Sequence, residues 1–273
     1  DVMPTAWQCL CLLVAIYLIV MALWTGKIAL RYDNMTLRMT DNLLTIESGL
    51  VSRFTCRLAR EKTTVLTIKR NPLEKIAGCQ TISLQQAENA TDSKNEGGIR
   101  IYGSNLGDEL LAWWLGNNGS VNDTTLLSAA SGIGLMMRRF IPHLLLAAGG
   151  AAIIMISTKL ALAAVMAGAV YAAIAAVRAA MAWKHSSIEL KESYMKINRG
   201  NIACIREYIR YRDIQSVAIA STPFTPYTGR VSLNVSTNAG CATVPSLAMD
   251  EALAIRNYIL DGKVSSSASE SVV

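Results

Sequence analysis

Residues 43–49 read Leu43-Leu44-Thr45-Ile46-Glu47-Ser48-Gly49, and 151 positions later residues 194–200 read Tyr194-Met195-Lys196-Ile197-Asn198-Arg199-Gly200. Apolar and polar residues alternate in both, as in a strand with one buried face, and a glycine closes each. The same offset carries Leu37 onto Ile188, Leu66 onto Val217, Ile68 onto Ile219, Pro72 onto Pro223, Gly78 onto Gly229 and Ile82 onto Leu233. The register runs for about 45 residues without a gap, which marks an internal repeat. Paired glycines and prolines in one register are shared backbone requirements. The chain contains one small domain twice.

Within the first copy, Val65-Leu66-Thr67-Ile68 and Thr81-Ile82-Ser83-Leu84 read as further strands, separated by turn signals at Asn71-Pro72 and Gly97-Gly98. The period then changes. Residues 108–115, beginning Asp108-Glu109, read as a short helix with acidic residues in its first turn, ended by Asn117-Asn118-Gly119. Asp250-Glu251 repeat this start at an offset of 142, so the first copy carries nine extra residues. They fall in residues 85–98, read as a polar hairpin tip. Strands closed by one helix predict an α+β domain, a curled sheet plugged at one end.

Around these copies the composition is that of a membrane protein. Of 273 residues, 52% are hydrophobic and only 17% are charged, against about a quarter charged in soluble chains. This excludes a disordered protein, a collagen and a disulfide-rich miniature. Residues 6–24 carry no charge and span about 28 Å as a helix. Trp7 and Trp24 mark the ends of this run, and Lys27 and Arg31 follow it. Positive charge after the run and no small-residue cleavage site argue against a signal peptide. Residues 140–183, interrupted only by Lys159 and Arg178, fit two further spans, 140–157 and 160–182, turning at Ser157-Thr158-Lys159. Their many Ala and Gly residues predict close helix packing, and Lys159 is placed to snorkel.

The basic residues set the orientation. Lys27/Arg31, Arg138/Arg139 and Arg178/Lys184 fall on one side, Asp1 and Lys159 on the other. The basic side is cytoplasmic, so both repeats are expected there. Trp7, Trp24, Lys27, Arg31, Arg138, Arg139, Trp183 and Lys184 are the expected membrane-edge anchors. Five Asn-x-Ser/Thr matches are then chance matches. Residues 37–116 hold 10 basic and 9 acidic residues, and residues 186–263 hold 9 and 7. Neither stretch has the clustered cationic face of a nucleic-acid binder.

These residues resemble the bacterial pleckstrin-homology-like, membrane-flanked domains of the YdbS/YdbT type. The carriers are the Gly-ended strands 43–49 and 194–200, the segment Asn71-Pro72-Leu73-Glu74-Lys75-Ile76-Ala77-Gly78, the piece Asp213-Ile214-Gln215-Ser216-Val217, and Pro223 to Gly229. The first copy departs from the family at Lys62-Thr63-Thr64-Val65-Leu66. The resemblance covers nearly the whole chain. It implies a membrane protein with two PH-like β-barrel or sandwich domains, each closed by a C-terminal helix, plus three transmembrane helices. The expected parts are a transmembrane helix at 1–32, PH-like domains at 33–118 and 185–262, a linker or interfacial segment at 119–139, a transmembrane hairpin at 140–184 and a disordered tail at 263–273. Residues 126–139 are read as a helix at the interface or, because of Gly132 and Gly134, a bent linker. The family expects two spans before each domain and only one precedes the first here, so the chain is read as part of a longer protein or a variant lacking one span.

No catalytic motif is present. The six cysteines (9, 11, 56, 79, 204, 241) form no C-x-x-C pair, so no metal site or disulfide framework is expected. His143 and His185 sit at span ends in interfacial or capping roles. No enzyme activity and no cofactor are expected. Arg53, Arg57 and Arg60, with Arg206, Arg210 and Arg212, alternate along strands. They are read either as a cationic face for anionic lipid headgroups or, given Glu61, Glu207 and Asp213 nearby, as solvated strand surface. The function this favours is a scaffold presenting two PH-like domains on the cytoplasmic face of the bacterial inner membrane, with membrane lipids and self-association or other membrane proteins as partners. Anionic-lipid binding and membership of an export or antimicrobial-resistance system are the alternatives.

Overall fold

The computed structural model describes residues 6–32, 35–49, 54–86, 98–116, 124–157 and 161–270. The chain divides into two units, residues 1–61 and 62–273.

In the first unit a helix, α1 (Ala6–Tyr32), precedes three strands, β1 (Thr36–Met39), β2 (Leu43–Ser48) and β3 (Phe54–Ala59). They pair antiparallel in the order β1-β2-β3. The alternation seen in the sequence sets the faces: Leu44, Ile46 and Leu58 are buried. Gly49 ends β2 with φ +112, a conformation glycine adopts without a Cβ penalty.

The second unit runs β4 (Thr63–Arg70), α2 (Pro72–Ile76), β5 (Gln80–Gln86), β6 (Gly98–Ser104), α3 (Gly107–Leu115) and β7 (Leu127–Ala130). Then come the long helices α4 (Gly134–Ser157) and α5 (Ala161–Lys184). Strands β8 (Ser187–Leu190), β9 (Tyr194–Gly200), β10 (Cys204–Arg210) and β11 (Ile214–Ala220) follow, then α6 (Thr225–Thr228), β12 (Arg230–Thr237), β13 (Gly240–Ala248) and α7 (Met249–Glu270). The repeat holds at the level of pairing. Leu43 faces Ala59 as Tyr194 faces Arg210, and Leu66 faces Leu84 as Val217 faces Val235. The segment opened by Asn71-Pro72 forms one helical turn. Pro72 occupies its start, the Asn71 backbone N–H donates to Glu74 Oε2 at 2.7 Å, and Gly78 follows at φ +69.

Three open sheets form, with no closed barrel among the described residues. This corrects the barrel expectation. One sheet is β1-β2-β3, another β11-β12-β13, and the third has seven strands in the order β6-β5-β4-β10-β9-β8-β7. In that sheet β4 of the first repeat pairs antiparallel with β10 of the second, from Val65↔Ile209 to Arg70↔Cys204. Half of one repeat is therefore completed by half of the other. The main core lies under the second repeat, where Ile188, Met195, Ile209, Leu233, Val235 and Val244 meet Ala252, Ile255 and Ile259 of α7.

The connection between repeats differs from its sequence reading. Residues 126–139 were expected as one interfacial helix or a bent linker. Leu127–Ala130 instead form an edge strand on β8, and α4 already begins at Gly134. Gly116, at φ +73, ends α3 before the expected Asn117-Asn118-Gly119, which lie outside the described residues. Helices α4 and α5 are long and apolar enough to cross a bilayer, and a shorter apolar stretch lies within α1. They are separated by residues 158–160. On α5, Ala164, Ala175, Ala179 and Ala182 are buried, and Gly168 approaches Ala147 and Ala151 of α4. Small side chains permit that approach.

Candidate functional site

Two clusters in the second unit carry charge into structured surroundings. The first is the junction of the repeats. Arg210 ends β10 and is only 6% exposed. Its Nε donates to Asp213 Oδ2 at 2.7 Å, and its Nη2 donates to the Thr63 carbonyl at the start of β4. The Trp114 indole N–H, from α3, donates to the same carbonyl at 2.9 Å. The guanidinium also lies over the Trp114 ring. A buried charge is tolerated because it is paired and hydrogen-bonded. Burial raises the Asp213 carboxyl above its ordinary range, and Arg210 and Arg212 oppose that rise.

The second is a cleft of 310 Å³ where the feet of α4 and α5 meet the β9–β10 turn. Arg138, Arg139 and Arg178 line it, with Pro142, His143, Tyr171 and Asn201. Arg139 Nη1 donates to Asn201 Oδ1 at 2.5 Å, and His143 Nδ1 lies 2.8 Å from the Tyr171 hydroxyl. The two rings pack edge to face at 5.9 Å. Pro142 sits inside α4, where its missing N–H interrupts the helical ladder. Three guanidinium groups line one cleft, and guanidinium is a side chain suited by charge and donor geometry to anions.

The expected basic face divides. Arg206 and Arg212 are exposed, but Arg210 is inside the junction and offers no surface to a headgroup. Its position on a strand looked like those of its neighbours, and only the tertiary contact with Trp114 distinguishes it. In the first unit Arg57 is exposed and Arg60 half-buried, while Arg53 lies outside the described residues.

Of the residues expected as membrane-edge anchors, Trp24 and Lys27 are exposed on α1, and the side chains of Trp7 and Arg31 lie outside the described residues. Lys184 is exposed at the end of α5. Trp183 is half-buried, and its indole N–H donates to the Ser131 carbonyl at 2.9 Å. It ties α5 to the segment before α4. Sequence reading kept Arg138, Arg139 and Arg178 apart as edge charges and missed His143, Tyr171 and Asn201 as their neighbours. The signal was helical spacing: Tyr171, Ile174, Ala175 and Arg178 lie on one face at i, i+3, i+4 and i+7. Among the described residues no group of three His, Cys, Asp or Glu side chains is placed to hold a metal ion.

Comparison with known proteins agrees with the internal repeat. No curated protein matches the chain. The family model of the bacterial PH domain matches twice, over residues 3–116 and 141–263, so the first match takes in one copy of the repeat with α1 and the second takes in the other copy with most of the α4–α5 hairpin. PH-like domains are generally binding modules without catalytic chemistry. With both copies matched across most of its length, the chain belongs to the bacterial PH domain family.

Proposed function

We propose that this protein is a membrane-anchored, non-enzymatic scaffold that holds its two PH-like repeats against the cytoplasmic face of a bacterial inner membrane. The observation that carries this reading is the β4–β10 ladder, which fuses half of each repeat into one seven-stranded platform. The helix hairpin enters and leaves that platform through adjacent strands, β7 and β8. In this reading α1, α4 and α5 are the spans, and Lys27, Arg31, Arg138, Arg139, Arg178 and Lys184 mark the cytoplasmic edge. Tethering two binding modules beside each other raises their effective concentration for a partner. Crosslinking in native membranes followed by affinity purification tests the reading. A stable complex, with itself or with another membrane protein, is expected. A strictly monomeric protein with nothing co-purifying overturns it.

The cleft favours a second reading, capture of an anionic lipid headgroup at the inner leaflet. Its three arginines come from the ends of α4 and α5, at the height where headgroup phosphates would lie. Reconstitution of the full chain into anionic vesicles, comparing the native protein with Arg138→Gln/Arg178→Gln, tests it. Loss of bound anionic lipid in the variant supports the reading, and equal retention removes it.

A further inference from the structure

Two short helical turns, one in each repeat, present large apolar side chains to solvent. Leu73 and Ile76 of α2 are 80% and 85% exposed. The 151-residue offset carries them onto Phe224, at the start of α6, and Tyr227 within it, which are 71% and 89% exposed. In each turn the two residues stand three apart, a spacing that shares one helical face. Each turn closes at a glycine of positive φ, Gly78 or Gly229. A single exposed apolar residue is ordinary. A pair recurring at the same two positions of both repeats is not, and at this exposure it contributes little to either core.

Both turns lie at the end of the fold that carries the hairpin. Ala130, the last residue of β7, pairs with Ser187, the first of β8, and α4 and α5 attach beside those two strand ends. Ser187 pairs in turn with Asn198 near the end of β9. Across the seven-stranded sheet the same end is formed by Gly200 and Cys204, which pair with each other, and by Arg70, which also pairs with Cys204. The β9–β10 turn there carries the exposed Ile202, and its Asn201 accepts a hydrogen bond from Arg139 of α4. Helix α2 follows Arg70 almost directly. In the β11-β12-β13 sheet, α6 occupies the matching connection. Arg230, next to Gly229, donates from Nη1 to the Ser246 carbonyl at 3.3 Å. The Gly132 N–H, two residues before α4, donates to the same carbonyl at 2.7 Å.

We infer that Leu73, Ile76, Ile202, Phe224 and Tyr227 form an apolar rim that dips into the headgroup–acyl boundary of the leaflet from which the hairpin emerges. This rests on the membrane-anchored reading and adds the contact that seats the second unit on the bilayer. The occupant follows from placement: with α4 and α5 across a bilayer, this end of the sheet is the one that meets lipid. The chemistry agrees. Aromatic side chains collect at that boundary, and apolar ones gain from shallow burial there. The charge around the rim suits it as well. Lys75 lies between Leu73 and Ile76 in α2, and the α6 turn carries no charge. Glu74, the acidic residue of α2, is occupied within the fold, accepting from the Asn71 N–H and the Thr81 hydroxyl. None of the five rim residues lines the arginine cleft, so the rim is a contact of its own.

The test is photolabelling of the full chain in vesicles of neutral phosphatidylcholine, with a trace of the same lipid carrying a diazirine close to its headgroup. Neutral lipid separates apolar insertion from any pull of the arginines on anionic headgroups. Peptide mapping is expected to find label on residues 71–78 and 222–229 as well as on α4 and α5. Leu126 is exposed just before β7, at the opposite end of that strand from the hairpin, and should carry none. Phe224→Asp/Tyr227→Asp, two changes at exposed positions, should lose the label from residues 222–229, keep it on the helices and leave the melting midpoint in detergent unchanged. Label on α4 and α5 with none on either turn overturns the inference and leaves the anchored reading standing. Label on Leu126 equal to that on the turns, or label on 222–229 that the double variant retains, overturns it too. A chain labelled nowhere overturns both.

Discussion

The guanidinium carbon of Arg210 lies 4.6 Å from the centroid of the Trp114 ring, although 96 residues and two membrane-length helices separate them in sequence. This contact, with the Thr63 carbonyl and Asp213, locks the two repeats where their strands meet. Removing the arginine leaves Asp213 buried without its main counter-ion. Arg210→Ala is expected to destabilise the protein by about 3–5 kcal/mol, read from chemical denaturation in detergent. Arg210→Lys should recover part of that, since it keeps the charge but not the fork of donors.

Gly200 and Gly149 make opposite predictions. Gly200 has φ +139, and a Cβ there would overlap the backbone carbonyl of Ala203. Backbone cannot move aside as a long side chain can. Gly200→Ala is expected to cost about 2 kcal/mol or more. Around Gly149 on α4 nothing lies within 4 Å of the added carbon. Gly149→Ala should shift stability by less than about 1 kcal/mol. Thermal melts of the two variants side by side check the contrast.

The hairpin is joined to the second repeat through buried serines. Ser131 Oγ donates to the Pro245 carbonyl at 2.6 Å and lies 2.7 Å from Ser186 Oγ. Trp183 adds its indole N–H to the Ser131 carbonyl. Ser131→Ala leaves the carbonyl of Pro245 short of a donor and should cost about 1–3 kcal/mol. Trp183→Phe loses one hydrogen bond, about 1 kcal/mol. Hydrogen exchange should show faster opening at Ser186 in both variants.

Tyr211 sets an alkaline limit. Burial, then the neighbouring Tyr258, raises the pKa of its phenol well above the ordinary value, and its hydroxyl donates to the Lys191 carbonyl at 2.5 Å. The folded state thus holds the proton more tightly than the unfolded chain does. The stability this contributes is complete below about pH 10, the ordinary tyrosine pKa, and is lost as pH climbs beyond it. Tyr208 shifts in the same direction. Tyr211→Phe should lose about 1 kcal/mol at neutral pH and show a shallower decline on the alkaline side.

The repeat was legible because backbone demands leave marks in sequence. Gly49 and Gly200 share a positive φ, as do Gly78 and Gly229, and the alternation at Leu44, Ile46, Met195 and Ile197 matches their burial. The junction was not legible. Nothing local in Val65 or Ile209 says that these strands pair with each other, because strand propensity does not name a partner. Arg210 looked like Arg206 for the same reason: its burial comes from α3, which lies far along the chain. The cleft was half legible. Its arginines were visible as edge charges, but the Asn201 that joins them belongs to a turn whose position only the folded sheet decides.

The β4–β10 ladder also constrains how the protein is made. The Thr63 carbonyl and the Arg210 side chain it receives are 147 residues apart. At ordinary synthesis rates of about 5–20 residues per second, β4 waits roughly 7–30 s for its partner strand to be translated. The helix hairpin is made during that interval. Until it ends, the first repeat has an open strand beside β5, the kind of edge that recruits wrong partners. In the membrane-anchored reading, the hairpin would insert before the first repeat can be completed, and insertion of only one of its two helices would leave β10 on the far side of the bilayer from β4.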